Sequence, residues 1–139
     1  PDGQVIVQSY SPENGAIRRA IAHDLGGFYA EELAVRGELA FPPFARLIRL
    51  VVRAKKADVV RRTIGDVAAA CREHVRSAEE ILGPTECPLS IISGSIRHHV
   101  IVRTTRFGAT HEELRGALAR LQIPGAAHLE VDVDPVALL

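Results

Sequence analysis

Phe44-Ala45-Arg46-Leu47-Ile48-Arg49-Leu50-Val51-Val52-Arg53-Ala54 is the most strand-prone run of the chain, and it carries three arginines. In an extended strand successive side chains point to opposite faces. Leu47, Arg49, Val51 and Arg53 therefore share one face, and Arg46, Ile48, Leu50 and Val52 share the other. The second face has more aliphatic bulk and should meet the core, with Arg46 at the strand's beginning extending its head to water. The first face is left to present arginines on the open side of a sheet.

The segments that follow alternate in period. Residues 57–76 carry a helical apolar stripe, 89–92 and 96–105 read as strands, 110–121 as a helix, and 128–133 as a last strand. Ser93-Gly94-Ser95 suits a hairpin turn between the two middle strands. Thr110 followed by Glu113 reads as a capping box opening the second helix. The order is β-α-β-β-α-β, the split βαβ arrangement of α+β, ferredoxin-like folds. Two helices pack on one face of an antiparallel sheet, strands one and three lie at its centre, and strand four flanks strand one.

Ahead of the quoted run, residues 4–10 form a short β-prone segment opened by Asp2-Gly3, a strand that needs a partner to exist. Ser11-Pro12-Glu13-Asn14 reads as a helix start with Ser11 as cap. Ile17, Ala20, Ile21 and Leu25 continue an apolar stripe to Gly26-Gly27, and a second helix is expected over 28–39. Pro42-Pro43 ends it, since proline lacks an N–H and pushes its predecessor toward extended geometry. The chain thus reads as a connector over 1–43 and a compact domain over 44–139.

Composition excludes several classes. The 139 residues, 47% hydrophobic and 24% charged, are ordinary for one globular domain. The two cysteines, Cys71 and Cys87, are too few for a zinc ribbon or a disulfide framework. His98 and His99 point to opposite faces of a strand and cannot chelate one ion together. His23, His74, His111 and His128 show no ligand spacing. No phosphate loop, nucleophile elbow or zinc-protease motif occurs, so no catalytic residue, metal ligand or cofactor is assigned. With no membrane-length apolar run, a cytoplasmic location is expected.

The zero net charge conceals two positive blocks. Residues 44–76 hold nine basic and three acidic side chains, and 94–106 hold three basic and none acidic. If strands one and three are neighbours, Arg49, Arg53, Arg97, His99 and Arg103 gather on one face with Lys55-Lys56 beside them. Such a surface suits nucleic-acid phosphate or an acidic peptide tail. The competing structural reading is that Glu130 and Asp132, pointing the same way on strand four, neutralise Arg49 and Arg53.

Five ordered stretches resemble the bacterial replication-restart helicase family of PriA, primosomal protein N′. Gly3-Gln4-Val5-Ile6-Val7-Gln8-Ser9-Tyr10-Ser11-Pro12-Glu13 is similar to that family's G-x-V-x-I-Q-T-Y-N-P-E-H. Phe28-Tyr29-Ala30-Glu31-Glu32-Leu33 and Phe41-Pro42-Pro43-Phe44-Ala45-Arg46-Leu47 look like its F-Y-x-E-E-L and Y-P-P-F-x-R-L. Leu82-Gly83-Pro84 and Asp132-Val133-Asp134-Pro135-Val136-Ala137-Leu138-Leu139 look like its L-G-P and D-V-D-P-x-x-L-L.

The resemblance implies the end of the second helicase lobe over 1–43 and a C-terminal domain similar to ribosomal protein S10 over 44–139. It implies an ATP-driven 3′-to-5′ DNA helicase as parent, whose ATP, Mg and Zn sites lie upstream of this chain. The implied partners are branched or single-stranded DNA, the acidic tail of the single-stranded-DNA-binding protein, and other primosome proteins, on a nucleoid-associated protein. For the tail the family reads R-G-R-Y-R-W-Q, where this chain has Ser93-Gly94-Ser95-Ile96-Arg97-His98-His99. Only Gly94 and Arg97 carry over. His99, in the Gln position, is an auxiliary hydrogen-bond donor in this reading. Two rivals remain: an acylphosphatase-like anion enzyme on the same arginines, and a purely structural brace.

Overall fold

The computed structural model describes residues 3–136, which divide between Ala40 and Phe41 into two compact units. Asp2 and the Ala137-Leu138-Leu139 ending lie outside the described residues.

In the first unit, residues 3–9 form no strand, and Val5 and Ile6 stand about nine-tenths exposed. An extended segment becomes a strand only when a neighbour takes its backbone hydrogen bonds, and none among the described residues does so. Helix α1 (Gly15–Ile21) is capped by Asn14 rather than Ser11, the Asn14 side chain accepting from Ala16 N–H at 2.9 Å. Helix α2 (Leu25–Glu38) is capped by Asp24, which accepts from Gly27 N–H at 2.8 Å and pairs with Arg19. The expected break at Gly26-Gly27 is therefore the first turn of a helix. A good cap outweighs the modest helix cost of two glycines. No described residue of this unit is buried.

The second unit holds β1 (Arg46–Ala54), α3 (Ala57–His74), β2 (Glu80–Ile92), β3 (Ser95–Thr104), α4 (Phe107–Ala119) and β4 (Ala127–Val133). The strands form one antiparallel sheet in the order β2-β3-β1-β4, the ferredoxin-like α+β arrangement. Ile48, Leu50 and Val52 of β1 are wholly buried with Val100 and Val102 of β3. Val60, Ile64, Val67 and Cys71 of α3 and Leu114 of α4 close on them. Burying each such aliphatic side chain is worth about 1.5–3 kcal/mol, which fixes which face of β1 meets the helices.

Strand β2 begins at Glu80, not at residue 89, and reaches Ile92 only by slipping register after Leu82 and again after Glu86. Gly83 sits at the first slip with φ of +91°, where a Cβ would come within 2.8 Å of the His99 carbonyl. Thr110 is not a cap, because α4 starts at Phe107. Thr110 is fully buried, its hydroxyl 2.7 Å from both Ser77 Oγ and Thr104 Oγ1. Glu113 accepts from Ser77 N–H at 2.9 Å and Ser77 Oγ at 2.8 Å. The S/T-x-x-E spacing is real but serves to tie α4 to the start of the β2 arm.

Candidate functional site

The β1–β3 register sets Arg53 opposite Arg97, Val51 opposite His99, Arg49 opposite Ile101 and Leu47 opposite Arg103. All four arginines and His99 thus lie on the sheet face away from the helices, as the alternation requires. Ser93 (φ 49°) and Gly94 (φ 70°) make the two-residue turn that starts β3, both residues taking the positive φ that tight hairpins use.

This face is less open than the alternation suggests. Leu47, Arg49, Val51 and His99 are all buried. Between Glu86 and Ile91 strand β2 spends extra residues against β3, and this bulge carries Cys87 inward. Cys87 is itself buried, near enough to Arg97, Arg49 and Glu130 for their charges to act on its thiol, although burial pushes that thiol up. Arg97 Nη1 donates to the bulge at the Leu89 carbonyl, 3.3 Å away.

Acids meet most of the arginines. Asp132 lies 3.1 Å from Arg49, Glu130 pairs with Arg53, and Glu80 lies 2.7 Å from Arg103. The first two were legible from the alternation of β4. The Glu80 pair was not, because the second strand was expected only over 89–92 and no strand partner was assigned to residue 80. Arg46 extends sideways to Asp134 and lies 4.5 Å over the Phe107 ring. His99 is 6% exposed, and burial first, then Arg49 and Arg97, hold its imidazole below the usual histidine range. His99 is therefore a neutral, interior group, not the outward donor expected; its Nδ1 finds no hydrogen-bond partner among the described residues.

The positive character of this face survives at one end. Arg53 and Arg97 adjoin there, and Lys55 and Lys56 follow Arg53 at the turn into α3. Both lysines are exposed and, among the described residues, neither has an ion-pair partner. In the sequence these two lysines stand only at the flank of the arginine strand. Their importance appears once acids are seen to hold Arg49, Arg53 and Arg103.

Among the described residues no three His, Cys, Asp or Glu side chains gather as a metal site, and no helix is long and apolar enough to cross a membrane.

A sequence model of the family described as "Primosomal protein N C-terminal domain" matches residues 37–136. Replication restart protein PriA of Treponema pallidum is 36% identical over 142 aligned residues, covering 99% of this chain and 21% of that protein. The protein of the same name from Thermotoga maritima is 37% identical, covering 98% and 17% respectively. That from Synechocystis is 31% identical, covering 98% and 16%. The chain therefore spans about a fifth or less of the length of these relatives.

Proposed function

The chain belongs to the primosomal protein N C-terminal domain family, and on that premise we propose that it is the C-terminal DNA- and partner-binding part of a replication-restart protein. Its work is binding, and ATP-driven 3′-to-5′ unwinding belongs to the remainder of a longer chain. Residues 1–43 are then the end of the second motor lobe and its connector, and 44–139 the binding domain. That no described residue before Ala40 is buried supports this, since two short helices without a core need a surface to pack on.

One observation carries the DNA reading. Two positive segments, remote in sequence, meet at one end of a single sheet face, where Arg53 and Arg97 adjoin Lys55 and Lys56. Backbone phosphates are bound by such clusters with a strong dependence on salt. Arg97 is the leading contact, because its guanidinium bonds, among the described residues, to a carbonyl rather than to an acid. Arg49 and Arg103, engaged with Asp132 and Glu80, tune the strength of the face, and His99 supports it from the interior.

An acidic, apolar-ended peptide is the second partner. Leu89 and Ile91 of the bulge are more than half exposed beside Arg97, which offers apolar seats next to a cation.

The test is a titration of the whole chain with forked DNA at two salt concentrations, comparing wild type with Arg97→Glu/Arg103→Glu. Weaker binding is expected, with a salt slope reduced by about 0.9 for each phosphate that the variant no longer neutralises. Superimposable curves would remove the face from consideration. The same pair titrated with an acidic, Phe-ended peptide tests the second partner.

A further inference from the structure

A cavity of about 500 Å³ opens where β1 turns into α3, lined by Arg53, Lys55, Lys56, Val59, Ser95 and His128 among others. Its volume falls among those of small-ligand clefts, about 300–1,000 Å³. The lining is one-sided in charge. Arg53, Lys55 and Lys56 belong to its lining together with Ser95 and His128, and among the described residues no acidic side chain lines it. Glu130 offsets Arg53 from the sheet side, which leaves the two lysines as the uncompensated charge.

We propose that this cavity is a phosphate subsite, holding one phosphate group between Lys55, Lys56 and Arg53 with Ser95 as a neutral hydrogen-bond donor. The assignment deepens the nucleic-acid reading above: it turns a diffuse basic edge into a fixed point at which one phosphate is registered. A terminal phosphate suits the lining better than a lone carboxylate, since it offers more acceptor oxygens and up to two negative charges to the two uncompensated lysines and to Arg53. Arg53 provides the planar fork, and the lysines provide compact charges on mobile stems. The phosphate comes from an internal diester of a strand or from a strand's 5′ end. Both present unesterified anionic oxygens to the site, the 5′ end with the greater charge.

The whole chain, labelled with nitrogen-15, is titrated first with inorganic phosphate. It is then titrated with a short oligothymidylate carrying a 5′-phosphate, and with the same strand ending in a 5′-hydroxyl. Saturable amide shifts confined to 53–59 and 95 are expected with inorganic phosphate. Lys55→Gln/Lys56→Gln should lower that affinity at least tenfold without changing the melting curve, because both side chains are exposed. Arg61→Gln/Arg62→Gln, which removes equal charge from an exposed part of α3, should leave it intact. A 5′-phosphate that binds better than the 5′-hydroxyl assigns the site to strand ends, and equal binding assigns it to internal diesters. Non-saturable shifts, or equal losses in the two double variants, overturn the subsite. Fork binding that persists in Lys55→Gln/Lys56→Gln beside lost phosphate shifts leaves the domain's DNA role standing. Fork binding absent from wild type, with the phosphate shifts intact, separates them the other way.

Discussion

Arg53 stands directly opposite Arg97 across the β1–β3 ladder, and Glu130 binds Arg53 from the β4 side. Like charges opposed on a ladder repel. The glutamate offsets one of the pair and leaves the other to act outward, so β4 sets the strength of a basic cluster that β1 and β3 build.

Glu130→Gln should strengthen DNA binding. Both partners are nearly half exposed, so the ion pair is worth at most about 1 kcal/mol, and stability should fall by no more than that. The released Arg53 should tighten fork binding by about two- to fivefold and steepen its salt dependence. Unchanged affinity in an anisotropy titration would show that Arg53 takes no part.

Thr110→Val should destabilise the domain by about 1–3 kcal/mol. Valine keeps the shape but leaves Ser77 Oγ and Thr104 Oγ1 each short of a buried partner. The loss should appear as a lower denaturation midpoint with unchanged slope. Fork binding at equal folded fraction should not change, as this network lies away from the basic end.

Acid should weaken the fold through two carboxylates. Glu113 is held below its ordinary range chiefly by the Ser77 N–H bond, and Glu79 chiefly by the Thr105 hydroxyl. Unfolded, both titrate near about 4.3, so the unfolded chain binds more protons in this range. Their contribution is complete above about pH 5 and disappears as the pH falls through the unfolded and then the folded value. Denaturation midpoints measured between pH 3 and 6 should show this loss, and Glu113→Gln should shrink it.

A separate, milder loss should come from His99. Its folded pKa lies below the ordinary value, chiefly because the ring is buried and then because of Arg49 and Arg97. The unfolded chain therefore takes up protons first, near about 6.5, and stability declines as the pH drops below that point. His99→Gln should be flatter than wild type between pH 7.5 and 5.5, whatever its absolute stability. Parallel curves would mean the ring is not desolvated as described.

Periodicity made the topology readable. Ile48, Leu50 and Val52 alternate with Leu47, Arg49 and Val51, and the order of strand and helix segments leaves few ways to bury that aliphatic row. The outward acids Glu130 and Asp132 were readable by the same rule. Local signals misled where two elements compete for one motif. Thr110 and Glu113 have the spacing of a cap and act as a tertiary tie, and Ser11 resembles a cap that Asn14 provides. The β2 bulge left no clear signal, since its exposed Leu89 and Ile91 break any alternation.

What the amino acids determined by themselves was the direction of each side chain on β1 and β3, because pleating is a property of the backbone and needs no partner. Whether an outward arginine is available to a ligand was decided only by tertiary structure. That depends on which carboxylate arrives from β2 or β4, and on how a bulge far along the chain brings Cys87 in beside Arg97 and Arg49. Electrostatic pairing falls off over a few ångströms, and such distances exist only once the strands are laid side by side.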